Sequence, residues 1–415
     1  MQSKLFRAGL LGILIALCLV ATLYAHGYHA SDTHAVNRQR TGQSPFAGPW
    51  SATDTWRVST PSLDSITTAP AIAQDRTLYM GTEQGVVAID QHGALKWTYY
   101  TPKGVPGTPS LSPSSGIYAG GTDGAVHALN PDGTVRWTYQ TGNYIVSSPA
   151  VTADDMLYVT SFDGTIYKLT SSGHLSCRYD VGRPLIGSPS IGHDGNVYLG
   201  AGNKEEGDGR LYALNCSCQL LWSQTTSGDL HVSAAPSIAS DGAIFIISTD
   251  IQQGYLEKFS AAGGPALWTR PLPHTGHASG ALSPDGTTIY VPTKYGLYAL
   301  ATANGKLIWK AETPLQLSST PVVDVDGNVY WGTGNTLHAF TPPGADPLGL
   351  YHDPQHALLP GPRSDWHVVF WRADQRPTRR TPRHPESRRI RCCPRSEPER
   401  GLSINPNSLP GQVFS

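Results

Sequence analysis

The sequence predicts an all-β chain folded as a β-propeller of four-stranded blades, seven in number, with eight as the alternative. Three observations carry this prediction. The sequence repeats itself with a period near 40 residues, its apolar runs are only four to six residues long, and Gly-containing turns separate them every 8–12 residues. Few charges (15%), 44 Gly, 33 Pro and 19 Tyr agree with many short strands. No uninterrupted helical stretch follows residue 25.

The clearest unit is VPGTPSLSPSSGIYAGGTDGAVHALNPDGTVRW, from Val105 to Trp137, and the next begins at Ile145. Each unit opens on a small-Pro-small step and continues through Tyr-x-Gly, a Gly-led hairpin, an apolar-x-Ala-Leu strand, a Gly turn and a closing aromatic. Asp-Gly and Pro-Asp-Gly turns tolerate positive φ and so suit tight hairpins. The closing positions are Trp56, Trp97, Trp137, Cys177, Trp222, Trp268 and Trp309, spaced by 40 to 46 residues. Trp56 precedes the first inner module, and the seventh module ends at Phe340 with no Trp strand of its own. The simplest closure makes the N-terminal strand at Trp56 the outer strand of the last blade, which removes an open sheet edge. Each buried Trp covers roughly 150–250 Å², so these residues are read as structural docking positions between blades.

The other segments follow from composition. Lys4 and Arg7 precede an apolar run of 18 residues over 8–25. That length lies between a long cleaved signal peptide and a signal anchor. Residues 1–25 are therefore read as signal or anchor, 26–51 as linker, 52–345 as propeller and 346–415 as tail. Both readings of the first segment place the body outside the cytoplasm, either secreted or held to the membrane by an uncleaved N-terminus. Between 362 and 400 stand eleven Arg and five acidic residues, many Pro and no Lys. This composition builds no core and predicts a disordered tail. Its abrupt onset also suggests a frameshift. The remainder of the chain is mildly acidic without a basic stripe, which argues against nucleic acid as a partner.

Ala88-Ile89-Asp90, Gly93 and Trp97, and again Ala128, Asn130, Gly133 and Trp137, resemble the tryptophan-docking motif of the pyrroloquinoline-quinone-like (PQQ-like) propellers. The segment NRQRTGQSPFAGPWSATDTW resembles the leader of bacterial proteins with such repeats. The resemblance covers about residues 37–345. It implies one of two functions. Quinoprotein dehydrogenases of this kind hold PQQ and Ca²⁺ in the central funnel, whereas non-catalytic members bind proteins as scaffolds. The docking motif is common to both.

The spacing leaves little chain for site-building loops, and no Ser-His-Asp, Walker or HExxH pattern occurs. The longest departure, 202–210 (GNKEEGDGR), could supply oxygen ligands to calcium but reads as a stretched hairpin. Asp324, Asp326 and Asn328 align with hairpin turns of other repeats rather than with a calcium loop. Lys103, Tyr144, Arg183, His231, His277 and Gln316 fall where a channel mouth would be, and are the candidate ligand contacts. Cys216 and Cys218 replace residues of the Pro-Asp-Gly turn, and a local Cys216–Cys218 disulfide is expected to staple it. Cys177 reads as a small filler in a Trp position, weakening one blade junction. Cys392-Cys393 lies in the tail outside every repeat. The leading expectation is a non-enzymatic extracytoplasmic scaffold with no cofactor and with a protein or cell-envelope ligand. A PQQ-dependent dehydrogenase is the alternative.

Overall fold

The computed structural model describes residues 37–44 and 68–341, apart from short loop segments within 203–208, 229–233, 251–252, 313–318 and 334–335 and at 277. It also describes strands Leu19–Val20, Thr55–Ser59, Ala345–Tyr351 and His367–Arg372. Seven four-stranded antiparallel sheets follow one another along the chain. They form blades 1 to 7 over residues 71–100, 110–140, 150–180, 190–225, 237–273, 281–312 and 322–351. The fold is a seven-bladed β-propeller.

Each blade begins with a two-residue inner strand, as in Ser110–Leu111, and ends with a longer outer strand, as in Val135–Gln140. The second and third strands are buried along their whole length in blades 1 to 3, while the outer strands alternate between half-buried and exposed. That gradient explains the sequence pattern. Continuous apolar runs mark strands covered on both faces, and alternation marks the rim.

The core lies between blades. Tyr79, Val86 and Ala88 of blade 1 pack with Ile117, Ala119 and Leu129 of blade 2, and equivalent layers recur through to blades 6 and 7. At five junctions a docking Trp reaches the next blade. The indole Nε1 of Trp97 donates to Pro131 O (2.8 Å), that of Trp137 to Ser171 O (2.8 Å), that of Trp222 to Ala261 O (2.9 Å) and that of Trp268 to Thr302 O (3.1 Å). The ring lies on a turn glycine that any Cβ would disrupt. At Gly133 a Cβ would sit 2.8 Å from the Trp97 ring. At Gly173 it would sit 2.6 Å from Trp137. Trp309 meets Phe340 of blade 7, with centroids 5.5 Å apart.

One junction is built differently, and here two expectations are corrected. Cys177 is no loose filler, and Cys218 is not paired with Cys216. Cys177 of blade 3 is disulfide-bonded to Cys218 of blade 4 (Cα–Cα 5.9 Å). Cys218 occupies the place that Gly133 and Gly173 hold in their turns and keeps the same left-handed conformation (φ 58°). A covalent link thus stands where a Trp–Gly contact stands elsewhere. The carbonyl of Cys216 gathers Lys168 Nζ (2.7 Å) and Tyr158 Oη (3.4 Å) at the same seam.

The closure of the ring also differs from expectation. The outer strand of blade 7 is Ala345–Tyr351, paired with Thr336–Thr341. The Trp56 strand, Thr55–Ser59, pairs instead with His367–Arg372, which in turn pairs with Leu19–Val20. Two stretches assigned to a structureless tail are therefore strands, and the propeller extends to Tyr351. Periodicity placed Trp56 because it stands one repeat before Trp97. The strand that is used carries Pro347, Gly349 and register shifts, which hide its pattern. The remaining tail, including Cys392 and Cys393, lies outside the described residues.

Candidate functional site: the central channel and its mouths

The seven inner strands surround the axis, where small residues are required because the backbones converge. The small-Pro-small step meets this need and adds a belt of hydroxyls. Ser148 Oγ accepts the N–H of Thr108 and Ser188 Oγ that of Ser148 (both 2.9 Å), while Ser279 Oγ and Thr320 Oγ1 accept those of Ala235 and Ser279 (both 3.1 Å). A second tier runs the other way. Ser110 Oγ donates to Pro149 O and Ser190 Oγ to Pro236 O (both 2.6 Å), and Ser237 Oγ to Gly280 O (2.9 Å). These bonds tie the inner strands of blades 2 to 7 one to the next.

Residues 37–44 run through this channel. The carbonyls of Arg38, Gln39, Thr41 and Gly42 accept the N–H groups of Ile191, Ile238, Leu282 and Val323, one from each of blades 4 to 7, at 2.7–2.9 Å. Ser44 N–H returns a bond to Val323 O (2.6 Å), so Gln43 forms a parallel bridge with Val323. Arg40 is completely buried. Its Nη2 donates to Ser148 O (3.0 Å) and Pro149 O (3.1 Å), and its Nε to Pro189 O (3.3 Å). Gly42 has φ +67°, and a Cβ there would lie 2.5 Å from Ala281 Cβ. Asn37 holds the segment in a turn, accepting Arg40 N–H on its carbonyl (2.9 Å) and Thr41 N–H on Oδ1 (3.1 Å). The N-terminal side does join the last blade, but at its inner edge through Gly42–Ser44 contacts rather than at its outer edge through Trp56.

Strand direction alternates, so the chain turns at two opposite mouths. The lower mouth carries the turns after the first and third strands. The upper mouth carries the hairpins after the second strand and the loops between blades. The leader's backbone bonds fall on the second residue of each inner strand, at the lower end. Lys103, Tyr144 and Arg183 stand on three successive inter-blade loops of the upper mouth, where Lys103 and Tyr144 are exposed. Tyr144 stacks on Phe162 of the neighbouring hairpin, centroids 4.4 Å apart. His231, His277 and Gln316, and the 203–208 loop, lie outside the described residues.

Sequence reasoning missed a set of buried caps under this mouth. Asp123 accepts the Ala125 N–H (3.0 Å) and meets His127 Nε2 (3.1 Å), whose Nδ1 faces Tyr99 Oη (3.1 Å). One blade on, Asp163 accepts Thr165 N–H (2.8 Å) and Tyr167 Oη (2.7 Å). The shared signal is Asp-Gly followed by an aromatic ring four residues after the Asp. Repetition across blades, with His127 only 3% exposed, marks the Tyr99–His127–Asp123 chain as architecture. The Asp324 turn is likewise a cap, accepting Asn328 N–H (2.7 Å) and Tyr330 Oη (3.3 Å). Burial, first, and the Asp324 charge, second, push the Tyr330 phenol well above its ordinary range.

A quinone–Ca²⁺ pair needs a flat cavity and acidic ligands. The channel described here has hydroxyls already engaged between blades, and the leader backbone crosses it. Among the described residues no group of three or more His, Cys, Asp or Glu is arranged to hold a metal ion. These residues do not fit that pair.

Three stretches, residues 48–144, 122–252 and 252–342, match the family model described as outer membrane protein assembly factor BamB. The chain belongs to this BamB family. Among solved structures it is similar to BamB from Moraxella catarrhalis (19% identity, TM-score 0.53, covering 65% of this chain and 83% of that one). It is also similar to the quinohemoprotein alcohol dehydrogenase of Comamonas testosteroni (13%, TM-score 0.60, 75% and 71%) and to the Dos1 propeller (12%, TM-score 0.54, 71% and 83%). At these identities the likeness is one of fold, and it spans both branches of the PQQ-like propellers. No curated protein matches the chain.

Proposed function

We propose that the chain is a non-enzymatic, extracytoplasmic BamB-type propeller that binds a protein partner at its upper mouth. The observation that carries this reading is the occupied channel. The space a dehydrogenase would give to its cofactor is crossed by 37–44, and Arg40 fills the level above it. The partner then engages the outer surface, where Tyr144 and Phe162 form an aromatic step beside Lys103 and Arg183. Aromatic and basic side chains are the types enriched at protein interfaces. The Cys177–Cys218 bridge supports an oxidising compartment, as does the basic and then apolar N-terminus, which serves as signal or membrane anchor.

Two measurements test the reading. Titration with PQQ and Ca²⁺, followed by quinone absorbance and alcohol- or aldose-dependent dye reduction, is expected to give neither saturation nor turnover. Saturable binding with turnover makes the chain a dehydrogenase and refutes the scaffold assignment. A photo-crosslinker placed at Tyr144 is expected to capture a discrete envelope protein, whereas one at Asn130, in a lower-mouth turn, captures none. Equal yields from both positions would remove the upper mouth from the proposal.

A further inference from the structure

We propose that the central channel is a peptide-binding site, with residues 37–44 as its resident ligand in cis, an Arg-Thr-Gly segment replaceable by a free peptide of the same chemistry. The contacts are those of a bound extended peptide. Four successive blades each donate one inner-strand N–H to a different leader carbonyl, which is strand addition bent around a ring. Backbone pairing alone carries no sequence preference, and three side-chain positions supply it. Arg40 needs its planar guanidinium to reach carbonyls on blades 3 and 4 together. Gly42 admits no side chain, because its φ is left-handed and Ala281 occupies the Cβ position. Gln43 Nε2 donates to Ser283 O (2.7 Å) of blade 6. The ligand is read as Arg-Thr-Gly-Gln preceded by an Asn turn.

The segment enters the ring as a guest. The bonds described above go to blades 3 to 7, whereas the chain continues from it into blade 1. Tethering gives a cis peptide an effective concentration in the millimolar range, so a trans peptide meets a filled site in the intact protein.

The test inserts a protease site within 45–54 of the full chain and cleaves it after folding. The N-terminal fragment is expected to co-elute with the propeller and to be displaced by a fluorescent peptide of residues 37–44. The same peptide with Arg40→Ala should compete at least 100-fold less well. Separation of the fragment on first passage, with the melting temperature unchanged, overturns the proposal, as does equal competition by the two peptides. A fragment that neither peptide displaces also overturns it, because the leader is then a fixed part of the ring. A second arm uses uncut Gly42→Val, checked for folding by near-ultraviolet circular dichroism. The fluorescent peptide should bind this variant and leave the wild type unlabelled. A folded variant that binds no peptide refutes the site.

Discussion

Replacing Gly173 by Ala tests how much a tryptophan docking contact contributes, because the molecule offers a matched control. Gly173 has φ +85°, and a Cβ would lie 2.6 Å from Trp137 Cδ2 and 2.8 Å from Cγ. Gly182, nine residues on, has φ +76° and nothing within 4 Å of the Cβ position. Both substitutions impose a left-handed L-residue, costing about 1–2 kcal/mol. Only Gly173→Ala displaces the indole, which strains the packed junction by about 1–3 kcal/mol. It also threatens the Trp137–Ser171 bond, worth about 1 kcal/mol. Gly173→Ala should therefore exceed Gly182→Ala by about 2–4 kcal/mol. Guanidinium chloride unfolding followed by far-ultraviolet circular dichroism gives both values. Equal losses would show that the ring on the turn adds nothing beyond backbone geometry, and the account of the blade junctions would fall.

Non-reducing peptide mapping should recover Cys177 linked to Cys218; a Cys216–Cys218 product would refute the inter-blade staple. Cys177→Ser should cost about 4 kcal/mol on the chain-entropy model for a 41-residue separation, measured by denaturant unfolding against oxidised wild type. Glu257, 2% exposed, accepts Ser227 N–H and Oγ on one side and Ser248 Oγ (3.0 Å) on the other. Glu257→Gln turns an acceptor into a donor facing donors and should cost about 2–3 kcal/mol, read as a lowered denaturation midpoint. Asp285 is held below the ordinary carboxylate range, first by Ser283 Oγ and then by Thr287 N–H. A depressed folded-state value contributes stability above the unfolded value near 4 that is lost as pH falls through the folded one. Urea midpoints at pH 5 and pH 3 should therefore diverge less in Asp285→Asn than in wild type.

The blades were legible because they repeat. Seven copies of one pattern average out local departures, and the docking Trp residues declare the period. Features that break the repeat were read less well, each for a physical reason. Cys177 and Cys218 depart together from the Trp and Gly of one docking pair, a joint signal outweighed by the nearness of Cys216 to Cys218 in sequence. Ala345–Tyr351 lacks the apolar alternation of its counterparts, whereas Trp56 matched the period. The leader's seat was invisible because its partners on the ring are backbone N–H and C=O groups, which leave no trace in side-chain identity. The candidate mouth residues were placed from their position before each inner strand, and Lys103, Tyr144 and Arg183 do stand on equivalent loops. The Asp caps beneath them are hard to read because Asp-Gly marks a hairpin turn whether or not a ring four residues on reaches back to it.

The parallel bridge between Gln43 and Val323 joins residues about 280 positions apart. The backbone seat of Gln43 is therefore complete only once the last blade has formed. The leader, though synthesised before the blades, can be fully seated only once its partners on blades 3 to 7 are in place. Arg38 and Arg40 are trypsin sites in this waiting segment, and Arg40 is fully buried at the end. Protection of the Arg40–Thr41 bond during refolding thus reports the seating of the leader on blades 3, 4 and 6.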